Sequence, residues 1–191
     1  LLRVPGIRWR SLTAHPGTPA VRETGRSFEA NAVKKVRAIA RATGRLAVAD
    51  DSGLEVEALR WGPGVRSARF AGSHGDDRAN NRKLLRLLAG LPPRSRRARY
   101  RCVLALASPA RVLAVARGAW AGRIADGPRG RGGFGYDPVF VVPGLGKTVG
   151  ELAPAVKQRL SHRARAARRL LPALRRLARA TRLARYAVGS S

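Results

Sequence analysis

The apolar run Leu46-Ala47-Val48-Ala49 ends on two adjacent aspartates, Asp50 and Asp51, followed by Ser52-Gly53. A short apolar run reads as a strand. Two like charges side by side cannot follow it into a core without partners. The strand is therefore expected to end at this pair, facing solvent, a metal or a ligand. A hard divalent cation bridging to a phosphate would use both carboxylates. Asp-Ser-Gly is also ordinary turn chemistry, so a plain strand-to-turn junction is the competing reading. The chain has 11 Asp+Glu against 39 Lys+Arg, so an acidic pair is not a by-product of composition.

A chain of 191 residues is long enough for one domain with a sizeable core. The pattern places a single domain over residues 1–186 and a short tail over 187–191. No apolar run approaches the roughly 20 residues of a membrane helix, and no secretory leader pattern opens the chain. The lone cysteine, Cys102, precedes Val103-Leu104-Ala105-Leu106, which suits a buried core thiol better than a nucleophile. These features suit a cytoplasmic protein without membrane partners. The chain opens on Leu1-Leu2 and contains no methionine, so a start upstream of Leu1 is expected.

The net charge of +28 would draw polyanions. Nearly all of it is arginine, with five lysines. Arginine alongside abundant Ala, Gly and Pro is also what GC-rich coding produces without functional pressure.

Element signals alternate early. Ile7 to Leu12 reads as a short strand. Ser27 caps a helix through Thr43, with Phe28, Ala32, Val36, Ile39 and Ala40 as its apolar stripe and Gly44 as its stop. Asp76 or Asp77 caps a second helix carrying Leu84, Leu85, Leu87 and Leu88. Arg99 to Ala107 and Val112 to Arg117 read as a hairpin, with Trp120 to Ile124 and Tyr136 to Val142 as further strands. Pro154 to Leu160 and Ser161 to about Tyr186 read as helical, with a kink expected at Pro172. The order favours an α/β or α+β domain on a mixed sheet with flanking helices.

Two more clusters could carry chemistry. In Gly132-Gly133-Phe134-Gly135-Tyr136-Asp137-Pro138, glycines permit close backbone approach. The rings offer flat surfaces for a base, and Asp137 can accept hydrogen bonds. A flexible glycine loop feeding a strand is the bland reading. Lys157 with His162-Arg163, behind the cap Ser161, forms a donor set for a phosphate or a polar base edge. A solvated basic face is its bland counterpart.

Together these stretches resemble the inosine/xanthosine triphosphate pyrophosphatases. The likeness runs in order through Glu23-Thr24-Gly25, Phe28 to Ala32, Ala49 to Val56, Pro63 to Gly72, Gly132 to Pro138, Lys147-Thr148, Glu151-Leu152, Lys157 and Ser161-His162-Arg163. It spans about Leu1 to about Leu177. The resemblance implies an elongated α/β fold of two lobes with the active site in the cleft between them, usually a homodimer, working with Mg²⁺. It implies hydrolysis of a deaminated purine nucleoside triphosphate (ITP, dITP or XTP) to the monophosphate and pyrophosphate. Asp51 would be general base and metal ligand, with Asp50 and Glu23 completing the metal shell. Ser52, Phe134, Gly135, Tyr136, Asp137, Lys157, His162 and Arg163 would bind substrate. Family chains also carry a Thr-x-Asn-x-x-Lys loop ahead of this region, and nothing here matches it. An inactive truncated remnant is therefore one alternative. A basic nucleic-acid-binding protein, using the arginines after Glu151, is the other.

Overall fold

The computed structural model describes the backbone of residues 1–188 and the side chains of residues 1–180. Ser27 accepts a hydrogen bond from the Ala30 N–H and starts α1 (Phe28–Thr43); Gly44, at φ 65°, stops it. Then follow β1 (Ala47–Val56), β2 (Gly62–Pro63), α2 (Asp77–Leu87), β3 (Arg97–Ala107), β4 (Val112–Ile124), β5 (Phe140–Val141), α3 (Pro154–Leu160) and α4 (His162–Val188). The strands form one sheet in the order β2-β1-β3-β4-β5. Every pairing is antiparallel, where the early helix–strand alternation had suggested a mixed sheet.

Period-two alternation on β3 builds the core of one half. Cys102, Leu104 and Leu106 face α4, packing with Ala166, Ala167, Leu170 and Leu174. Val103, Ala105 and Ala107 face α1, packing with Phe28, Ala32, Val36 and Ala40. Small residues on the α1 face let that helix lie close to the sheet. Burial pushes the Cys102 thiol up to about 11, as suits a core thiol. The other half of the same strands is covered differently. Leu54, Val56, Tyr100, Trp120 and Ile124 pack with Leu84 and Leu88 of α2 and with Tyr136, Phe140, Val142 and Val149. The molecule thus has two packed halves on shared strands.

Four sequence expectations change. β1 does not stop at the aspartates. It runs through them, paired with β3 from Ala47↔Ala107 to Val56↔Ala98. Ile7 to Leu12 pairs with no strand; a 3₁₀ turn forms at Leu12–Ala14, and Ile7 packs beside the α4-side cluster. Trp120 to Ile124 is the second half of β4 rather than a separate strand. Only Phe140–Val141 of the stretch from Tyr136 pairs as strand, because the N–H groups of Val139 and Phe140 both turn back onto the Tyr136 carbonyl. Pro172 lies inside α4 without ending it. The expected tail from 187 falls largely outside the described residues.

Candidate active site

Strand geometry sends adjacent side chains to opposite faces, and this separates the two aspartates. Asp51 points to the α1 face, where it is 8 % exposed. Its Oδ2 accepts from Asn31 Nδ2 at 3.1 Å and its Oδ1 from Lys35 Nζ at 3.2 Å. Lys35 Nζ also donates to Glu23 Oε1 at 2.7 Å. Two carboxylates therefore converge on one cation. Asn31 and Lys35 are four apart on α1 and share a face. Asn31 Oδ1 also accepts from the Gly25 N–H at 2.7 Å, which ties the loop bearing Glu23 to the helix. A Cβ on Gly25 would lie 2.6 Å from that oxygen, so a side chain there would displace the loop.

Burial raises Asp51 above the ordinary carboxylate value, against the opposing pull of Lys35 and Asn31. Lys35 is itself held above its usual value: burial pulls it down, but Glu23 and Asp51 outweigh that. Among the described residues no group of three or more His, Cys, Asp and Glu could hold a metal. Two convergent hard carboxylates nonetheless fit Mg²⁺, which binds through one or two carboxylates and takes its remaining oxygens from phosphate and water.

Asp50 points to the α4 face. Its Oδ2 accepts from Arg163 Nη2 at 2.8 Å and Nε at 3.2 Å, and from Ser52 Oγ at 3.2 Å. Burial pushes Asp50 up, but Arg163 outweighs it, helped by Lys35 and Ser52, and the carboxyl sits below its ordinary value. The expectation that both aspartates share a metal shell meets a strand that places them on opposite sides.

On that second face lies a pocket of about 160 Å³. Ser52, Phe134 to Asp137, Lys157, His162 and Arg163 all line it, joined by Tyr100 and Asp77. Phe134 is 62 % exposed, with Lys157 Nζ 4.2 Å and Arg163 Cζ 5.9 Å from its ring centre. Lys157 also donates to Asp137 Oδ2. Asp137 is buried and further accepts from the Phe134 N–H at 2.9 Å and from Tyr100 OH at 3.2 Å. Tyr136 is buried and its hydroxyl donates to the Ser67 carbonyl at 2.9 Å, so it supports the floor of the pocket.

His162 stacks on Tyr100 at 4.7 Å. Burial, with Arg163 and Lys157 nearby, pushes it down to about 3. It is neutral throughout the working pH range. Its buried Nδ1 has no hydrogen-bond partner among the described residues.

Several residues of the site escaped sequence reading. Lys35 and Asn31 carried one signal, their shared helix face, but nothing local pointed that face at Asp51. Asp77 and Asn81 carried a similar one. Asp77 Oδ2 accepts from the Gly135 N–H at 2.6 Å, and Asn81 Nδ2 donates to the Gly135 carbonyl at 2.9 Å. Helix α2 thus grips one residue of the pocket loop by both its backbone N–H and its carbonyl. Replacing Asn81 with alanine is expected to raise KM for the substrate several-fold through a loosened Phe134 loop, while kcat changes less. Steady-state kinetics check this; equal falls in kcat and kcat/KM, with KM unchanged, would contradict it.

A larger groove of about 500 Å³ lies between the N-terminal loop, the end of α1 and α4. Its lining among the described residues includes Arg8, Arg10 and Arg45 but no carboxylate.

The family model described as the Ham1 family matches residues 1–173, a span that contains Glu23, both aspartates, the Phe134 loop and His162-Arg163. The chain belongs to the Ham1 family. A dITP/XTP pyrophosphatase of Geobacillus kaustophilus is 51 % identical over 165 residues, 86 % of this chain and 81 % of that protein. One from Desulforamulus reducens is 49 % identical over 177 residues, covering 93 % and 88 %. The solved structure of the Ham1 protein of Staphylococcus aureus superposes with a TM-score of 0.79 at 44 % identity, covering 85 % and 83 % of the two chains. The antiparallel sheet with its flanking helices is thus a Ham1 fold. Among the described residues no helix is long and apolar enough to cross a membrane.

Proposed function

We propose that this chain hydrolyses deaminated purine nucleoside triphosphates, of the ITP, dITP and XTP class, to the monophosphate and pyrophosphate. One observation carries the reading: a paired-carboxylate centre and a pocket ringed by cations and an exposed aromatic lie on opposite faces of one strand, β1, within a residue of each other. The names of the relatives agree with it. The α–β anhydride breaks, water supplies the oxygen to one phosphorus, and its proton passes to a base.

Asp51 and Glu23 would hold Mg²⁺, which neutralises phosphate charge as the anhydride breaks. Asp51, lifted by burial, is the acceptor for the water proton. Lys35 holds both carboxylates in one orientation. On the other face, Phe134 offers its ring to the base, and Lys157 and Arg163 offer N–H donors to a 6-keto oxygen. Adenine presents an amino group at that position and would leave these donors unpaired. Neutral His162 adds a polar contact without adding charge. The family resemblance carries a homodimer with it.

The test is selectivity. Purified protein with Mg²⁺ is expected to favour dITP and XTP over dATP by at least about 100-fold in kcat/KM, and Lys157→Met to erode most of that margin. Equal rates on dITP and dATP would sink the reading.

The nucleic-acid alternative rests on exposed arginines of α4. Three of them are already spent on structure. Arg165 donates to the Ala119 carbonyl at 2.8 Å, Arg168 to that of Arg159 at 2.9 Å and Arg169 to that of Arg117 at 2.6 Å. Part of the arginine excess therefore fastens α4 to β4 and to the end of α3. Any binding of nucleic acid by the rest is expected to weaken steeply with salt.

A further inference from the structure

We infer that Asp50 is a positioning residue for base recognition, not a metal ligand: it fixes the Arg163 guanidinium at the mouth of the nucleobase pocket. The inference rests on the reading of that pocket as the base site. It goes further in giving the first aspartate of the pair a job separate from the second.

The geometry is specific. Arg163 follows Ser161 and His162 at the start of α4, where a long side chain has many rotamers. Two of its nitrogens, Nε and Nη2, meet the same Asp50 oxygen at 3.2 and 2.8 Å. Two N–H contacts along one edge of a planar group fix its orientation as well as its place. That leaves Nη1 without a hydrogen bond among the described residues, while the Arg163 Cζ stands 5.9 Å from the Phe134 ring centre. Ser52 Oγ donates to the same carboxylate oxygen at 3.2 Å and so anchors it from its own strand. Lys157 is held in parallel by Asp137. Each cation at the pocket therefore has its own carboxylate: Asp137 for Lys157 and Asp50 for Arg163. Asp51 and Glu23 share a third, Lys35, on the opposite face. Asp50 belongs to the base-side set by its contacts, and an arginine and a hydroxyl already occupy its bonded oxygen.

The experiment compares Asp50→Asn, Arg163→Lys and the double variant. Binding of inosine monophosphate and of Mg²⁺ is measured separately by calorimetry, so neither readout needs turnover. Asp50→Asn is expected to weaken inosine monophosphate binding about tenfold, in line with a lost contact to a charged group. Its Mg²⁺ affinity should stay within about twofold of the parent protein. Arg163→Lys should give a similar loss, because an ammonium lacks the planar fork. The double variant should be no weaker than the weaker single, since Asp50 acts through Arg163. A tenfold loss of Mg²⁺ affinity in Asp50→Asn with nucleotide binding intact would make Asp50 a metal ligand and overturn the inference. So would losses that multiply in the double variant. Parent protein that binds Mg²⁺ but no inosine monophosphate would remove the base-site reading itself, and the role of Asp50 with it.

Discussion

Asp51→Asn is expected to lower kcat on dITP by about a thousandfold, within the range for a lost general base, while the metal-free protein melts close to the parent. The first half follows from position. Asp51 is the buried carboxylate of the pair that converges on Lys35, and no other carboxylate of this face is as buried. The second half follows from the direction of its shift. Burial raises Asp51 above its ordinary value of 3.8, so the fold favours the protonated form. That contribution to stability is fully present below the unfolded value and is lost as pH rises through the higher folded one. At neutral pH the ionised group therefore stands against the fold, and a neutral amide of the same shape does not. Its carbonyl oxygen can still accept from Lys35, which keeps Glu23 as its ion partner; the bond from Asn31 is lost, and that loss offsets the relief of the buried charge. Activity within tenfold of the parent, or a melting temperature several degrees lower, would contradict this account.

Gly118→Ala should lower both stability and substrate binding. Gly118 sits mid-way along β4, beneath the first turn of α4. A Cβ there would stand 2.0 Å from the His162 carbonyl oxygen and 2.6 Å from the Ala166 nitrogen. Both are helix backbone, which cannot swing aside as a side chain could. The helix must lift, and His162 and Arg163 ride on that turn. Overpacking of this kind costs about 1 to 3 kcal/mol, or roughly 2 to 12 °C in melting temperature for a chain of this size. KM for dITP should rise with it, because the donors leave the pocket. Thermal melts and steady-state kinetics on one preparation check both; an unchanged KM beside a lowered melting temperature would detach the turn from substrate binding.

Local signals carried the helices. Ser27, Gly44 and Asp76 mark their ends by chemistry that acts within a turn, and α1 and α2 form where those caps place them. The strands were harder to read. Asp50-Asp51 looked like a terminus because two adjacent charges need partners, and the partners are remote in sequence. Lys35 lies 16 residues from Asp51 and Arg163 lies 113 from Asp50. Given both cations, one on each face, the strand passes straight through. Tyr136 to Val142 read as strand on its apolar content alone, but Tyr136 and Asp137 are held by Ser67, Tyr100 and Lys157, which bends the segment before pairing begins. The site residues that resembled a known pattern were legible one by one. Their division between two faces of β1 was not, because it depends on β3 pairing along the full strand. For Lys35, Asp77 and Asn81 the shared helix face was the one signal, and it did not say what that face meets, because each acts on a residue far away in the chain.

The products of turnover test the central claim most directly. Purified chain incubated with dITP and Mg²⁺ and followed by phosphorus NMR should yield dIMP and pyrophosphate in equal amounts, with no diphosphate nucleoside on the way. Accumulation of dIDP with inorganic phosphate, or dITP left intact after prolonged incubation with folded protein, would contradict it.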